Sequence, residues 1–192
     1  AVCVGSGDLQ LLGTPVGGTW AGTSVSSSGV LSTSDEGTFT LTFSYGTATC
    51  LIQDQVTVVV HALPVVDAGD AIAICLDDGV QVLTAAPPGG TWSGNGVDAV
   101  GNFDPLLAQP GGNPITYSYT DATTGCSNTD ATTVTVHPLP APGMNHDPVA
   151  CANVPFLFTN TTSGASTYEW DFGDGTSSYS SNPQHIYTTT GT

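Results

Sequence analysis

The feature that most constrains this chain is that it repeats itself. Gly17-Gly18-Thr19-Trp20 returns as Gly89-Gly90-Thr91-Trp92, 72 residues on, and Cys3 with Cys75, Pro15 with Pro87 and Gly29 with Gly101 keep that spacing. The offset then grows. Phe43-Ser44-Tyr45 aligns with Tyr117-Ser118-Tyr119 at 74, and Cys50 with Cys126 and His61 with His137 at 76. Leu63-Pro64 and Leu139-Pro140 open a second and a third unit, and Cys151 follows Cys75 by 76. Self-similarity at a fixed period marks a duplicated structural unit. The chain therefore divides into 1–62, 63–138 and 139–192, the third with a different interior.

The units read as all-β. Phe39, Leu41, Phe43 and Tyr45 alternate with Thr38, Thr40, Thr42 and Ser44, the period-two pattern of a half-buried strand. Val56, Val58 and Val60 form another, with Val134 and Val136 as its counterpart. Ile115, Tyr117 and Tyr119 repeat the aromatic strand; Leu9, Leu11, Val80 and Val82 mark earlier ones. No window carries a helical period, and Gly and Pro interrupt too often for helices. Short strands with frequent turn signals predict β-sandwiches. A unit of about 70 residues buries only about 60% of its unfolded surface, so each core is small.

Charge removes whole classes of function. The chain has 16 acidic residues and no Lys or Arg, a formal charge of -16. Without cations it cannot neutralise a phosphate backbone, which excludes nucleic-acid binding. Phosphate loops, Schiff-base lysines and polybasic membrane patches go with it. No apolar run approaches the roughly 18 residues needed to span a bilayer as a helix. The 24 Gly and 13 Pro stay below the roughly 25–30% share of low-complexity chains. With no initiating Met and an opening in mid-pattern, the chain reads as a mature or excised piece of something longer.

Five cysteines in such a chain fit an oxidising exterior. No close C-x-x-C pair suggests a metal. The simplest pairing is one bridge per repeat, Cys3–Cys50 and Cys75–Cys126, the alternative being unpaired thiols. Cys151 is left over, its expected partner lying beyond Thr192. Trp20 and Trp92, each after a Gly-Gly-Thr turn, have two readings: strand residues packed in a core, or stacking platforms for a polysaccharide. Trp170 alternates with Tyr168 and Phe172 and reads as core. Asp67, Asp70, Asp77 and Asp78 cluster after the first junction and could hold calcium, or could simply cap turns. Apart from that calcium, no cofactor is expected.

Catalytic sets are absent. His61 and His137 occupy equivalent positions before a junction, which suits a structural role. His146 and His185 form no Ser-His-Asp order. Glu36 and Glu169 lie in different units, against a glycosidase pair. Asn160-Thr161-Thr162 is a formal glycosylation sequon.

The third unit reads Tyr168-Glu169-Trp170-Asp171-Phe172-Gly173-Asp174-Gly175-Thr176, then Asn182-Pro183-Gln184-His185-Ile186-Tyr187. It closely resembles the PKD (polycystic kidney disease) domain, which implies an Ig-like β-sandwich. The sequence ends where that family continues into its last strand, so this unit is expected to be truncated at its C-terminus and the least stable. Gly90 to Pro105 and Tyr117 to Asn128 resemble Ig-like repeats of giant surface proteins of Bacteroidota-type bacteria, adhesins and gliding-motility proteins exported by type IX secretion. The first unit departs from that pattern at Ala21 and Ser34. Together the resemblances imply tandem Ig-like sandwiches arranged end to end.

The expectation is a non-enzymatic, extracellular structural segment, a stalk or filament body of a cell-surface adhesin. Its partners would be neighbouring repeats of the same long chain, other copies in a filament, or surface glycans. The alternatives are a polysaccharide-binding module, or accessory domains of a secreted hydrolase. Proline just after a strand at both junctions (His61-Ala62-Leu63-Pro64; His137-Pro138-Leu139-Pro140) predicts semi-rigid connections.

Overall fold

The computed structural model describes residues 1–146, 148 and 151–189. The end of the third unit, at Gly191 and Thr192, lies outside the described residues. Within them the chain is all-β, with no helix.

Residues 1–62 contain β1 (Val2–Cys3), β2 (Leu9–Gln10), β3 (Thr19–Ala21), β4 (Val30–Leu31), β5 (Gly37–Thr47) and β6 (Cys50–His61). Residues 63–138 contain β7 (Ile72–Cys75), β8 (Gln81–Val82), β9 (Thr91–Gly94), β10 (Asn102–Phe103), β11 (Gly111–Thr120) and β12 (Ser127–His137). The two sets correspond one to one. The main sheets run β1-β6-β5-β3 and β7-β12-β11-β9, and short pairs β2-β4 and β10-β8 form the opposing layers.

The register repeats as well. β1 runs parallel to β6 with Cys3 opposite His61, and β7 parallel to β12 with Cys75 opposite His137. The chain leaves each first strand the same way: the amides of Val4 and Leu76 donate to the carbonyls of His61 and His137, at 2.9 and 3.0 Å. Trp20 lies opposite Phe43, and Trp92 opposite Tyr117.

Alternation places one face of each long hairpin inward. Leu41, Val60 and Leu31 form the first core with Phe39; Ile115, Val134, Val136, Phe103, Tyr117 and Trp92 form the larger second core. Pattern and fold part company twice in the first hairpin: Tyr45, near its tip, is exposed, and so is Val56, which lies opposite the buried Leu41 and borders an open hollow. Near the tip the hairpin outruns the short opposing layer, so at Tyr45 alternation continues with nothing to cover it.

In the second core Asn113 is buried among backbone groups. Its Nδ2 donates to the carbonyls of Gln109, Gly111 and Val134, and its Oδ1 accepts from the Gln109 amide and from Asn95. A polar side chain with that many partners locks the loop before β11 to the sheet.

Residues 139–189 contain β13 (Met144–His146), β14 (Pro155–Asn160), β15 (Trp170–Asp171), β16 (Ser177–Ser178) and β17 (Gln184–Ile186). β14 is central to one sheet, between β13 and β17, and β15 pairs with β16. Phe158 packs against Phe156, Trp170 and Phe172 at ring separations of 4.9, 5.7 and 5.4 Å. Trp170 is half-buried and its Nε1 donates to the Ser180 carbonyl at 2.9 Å.

Candidate functional site

The strongest chemical feature is a disulfide between Cys3 and Cys126, with Cα atoms 5.7 Å apart and a sequence separation of 123. It joins residues 1–62 to residues 63–138. The pairing expected from the repeats, Cys3–Cys50 and Cys75–Cys126, is therefore corrected; Cys50, Cys75 and Cys151 are free and exposed.

The register gives the physical reason. Cys3 sits beside His61 at the end of β6, whereas Cys50 begins that same strand. Eleven residues at 3.2–3.4 Å each put them roughly 35 Å apart, and a disulfide needs Cα atoms within about 7 Å. Cys75 and Cys126 are separated the same way along β12. No bridge can form within one repeat, but the tail of one sheet can meet the tip of the next. The clue in the sequence was the eleven-residue spacing Cys50–His61 and Cys126–His137.

Local chemistry holds the tip in shape. The Asp121 carboxylate accepts the amides of Thr123 and Thr124 at 2.8 Å, and the Asp121 amide donates to the Cys126 carbonyl at 2.9 Å. These bonds, that from the Thr124 amide foremost, hold the Asp121 carboxyl below its ordinary range. Across the junction, Asn128 ties down the connecting segment by donating from Nδ2 to the Pro64 carbonyl at 3.0 Å. A covalent bond and a linker hydrogen bond thus meet at one junction.

The two tryptophans differ. Trp92 is 5% exposed, so its ring offers solvent no stacking face. The residues after Leu63 help close the core that holds it. Val66 and Ala68 join the second core, Asp67 pairs with Ala86 as an isolated β-bridge, and the Ala68 amide donates to Asp130 Oδ2 at 2.8 Å. Trp20 is half-buried. Beside it an open hollow of about 300 Å³ is lined by residues that include Leu11, Gly13, Thr14, Phe43 and Asp54. These positions match Leu83, Ala85, Ala86, Tyr117 and Asp130 in the second segment.

The aspartates proposed for calcium divide. Asp77 and Asp78 bring carboxylate oxygens within 4.8 Å of each other and of Cys75 Sγ. Asp78 Oδ2 already accepts the Cys75 amide at 2.6 Å, and Asp67 Oδ1 accepts the Gly69 amide at 2.8 Å. These two cap turns, and neither Asp67 nor Asp70 belongs to the Cys75 cluster.

A further pair escaped the sequence analysis. His185 Nε2 lies 2.7 Å from Asp174 Oδ2, and the His185 ring stacks on Phe172 at 4.2 Å. Asp174 also accepts from the Thr176 hydroxyl at 2.6 Å. The Thr176 hydroxyl first and His185 second lower its carboxyl to about 2. The Asp-Gly turn and the Pro-Gln-His segment are both visible in the sequence, but only the fold brings them together.

Residues 137–192 match the PKD domain. No curated protein matches the chain. PKD domains are Ig-like β-sandwich modules, generally non-catalytic and typical of extracellular proteins, as are disulfides. Among the described residues no helix is long and apolar enough to cross a membrane.

Proposed function

We propose that this chain is a non-enzymatic structural segment of a large bacterial cell-surface adhesin, a stalk or filament body built from tandem sandwiches. The Cys3–Cys126 bond across the junction carries the reading. A segment that transmits force or keeps a distal part away from the surface needs its modules held in line. A covalent link at the point where one sheet ends and the next begins does that better than a small, wet interface. The charge of -16 with no cation suits a rod that must not collapse on itself or on anionic glycans. The Bacteroidota setting and export by type IX secretion belong to the same proposal, resting on the repeat resemblance. Its partners are neighbouring repeats of a longer chain. Glycan binding is the weaker reading, because the ring of Trp92 is covered.

Small-angle scattering of the 192-residue chain with and without reductant tests this. The oxidised protein should scatter as an extended particle about three small domains long. Reduction should broaden the distribution of end-to-end distances without loss of β content. A compact globule in both conditions would remove the stalk reading.

A further inference from the structure

Each cysteine of the observed bridge has a repeat-equivalent twin that is free. Cys75 occupies in the second segment the place of Cys3 in the first: opposite the strand-terminal histidine of a parallel pair. The same turn follows each, with the amides of Ser6 and Asp78 donating to the carbonyls of Cys3 and Cys75 at 3.1 and 3.2 Å. Cys50 occupies the place of Cys126, at the hairpin tip where the strand ending in that histidine begins. Both twins are exposed.

We infer that Cys75 and Cys50 are the two open ends of a staggered disulfide ladder, in which the first-strand cysteine of one sandwich bonds to the hairpin-tip cysteine of the sandwich that follows. Cys75 is the equivalent site for a tip cysteine docked after residues 63–138. The segment in that position here, residues 139–192, is of another type, and its one cysteine, Cys151, follows Cys75 by 76 rather than sitting at a tip. Cys75 therefore stays free in this chain and takes a bridge only when a repeat of its own type follows. Cys50 is the same site from the other side, for a first-strand cysteine docked ahead of residues 1–62. The stagger is forced: within one sandwich the two cysteines stand at opposite ends of a strand of eleven or twelve residues, so only successive units can join them. The partner is a sandwich of this same repeat type, connected in line. The inference rests on the bond and the register alone, and does not need the stalk reading.

The chemistry is thiol–disulfide exchange. Two protein thiols give up two protons and two electrons to a small disulfide such as glutathione disulfide. One S–S bond forms between the units, and the oxidant leaves as two thiols.

Inserting a second copy of residues 63–138 between Pro138 and Leu139 of the full chain tests the site. The new junction keeps the residue types His-Pro-Leu-Pro of the existing one. The insert adds two cysteines. After refolding in a glutathione redox buffer, the ladder predicts that alkylation still finds three free thiols, as in the parent chain. Cys75→Ser in the upstream copy should release the tip thiol of the inserted copy; Cys75→Ser in the inserted copy should leave the new bridge intact. Two additional alkylated cysteines, or a bridge that survives the upstream substitution, overturns the ladder. A copy of residues 1–72 placed ahead of Ala1 tests the other end. The added Cys3 should bond to the original Cys50, and peptide mapping that finds Cys50 alkylated overturns that half.

Discussion

The Ala68 amide donates to Asp130 across 62 residues of sequence, closing the second core over Trp92. In residues 1–62 the acceptor has its counterpart in Asp54, and beside it lies the hollow that borders Trp20. Extending the chain at Ala1 with a copy of residues 63–72 should fill that hollow, because Ala1 and Val2 correspond to Ala73 and Ile74. Acrylamide quenching of Trp20 should fall toward that of Trp92, read in a background where Trp92 and Trp170 are phenylalanine. Unchanged quenching would show that the hollow does not take an extended strand.

Thr132 presents the opposite case. It is 9% exposed and its hydroxyl has no hydrogen-bond partner. The equivalent residue in the first segment is Val56. A buried hydroxyl without a partner costs about 1–3 kcal/mol, and an apolar group of the same shape removes that cost. Thr132→Val should therefore stabilise the second core by about 1–2 kcal/mol. Chemical denaturation followed by the fluorescence of Trp92 reads this directly, and a destabilised variant would place an unseen partner on that hydroxyl.

Acid should act on the third segment through Asp174. Its carboxyl is lowered from 3.8 to about 2, by the Thr176 hydroxyl first and by His185 second. A carboxylate with a depressed value binds protons more weakly folded than unfolded. Its stabilising contribution is thus complete above about 3.8 and is lost as pH falls through about 2. Thr176→Val should raise the Asp174 midpoint, measured by carboxyl-carbon NMR, and move acid unfolding of residues 139–192 to higher pH. A midpoint that stays near 2 after the substitution would assign the shift to His185 instead.

Much of the fold was legible in residue order. The alternation at Phe39, Leu41 and Phe43 marked β5 before any coordinates, and the Gly-Gly-Thr-Trp repeats marked β3 and β9. Period-two patterning is a local property, set by the pleat, and survives in one dimension. The buried role of Asn113 was not legible, because an asparagine after two glycines looks like a turn until the carbonyls of Gln109 and Val134 close around it.

The sequence by itself determined that this chain is all-β, built twice on one template, and without the cations that nucleic acids or phosphates require. It also held the five cysteines, but not their pairing. That was decided by tertiary structure, for a geometric reason. A parallel first strand places Cys3 beside His61, a full strand length from Cys50. Covalent partners are chosen by distances of a few ångströms, and the separation of two cysteines along a strand becomes a distance only when the register is known. The same holds for Asp174 and His185, and for the hollow beside Trp20: each needs two segments remote in sequence to meet. Residue types therefore declared the class of molecule, while strand register and stacking chose which side chains touch.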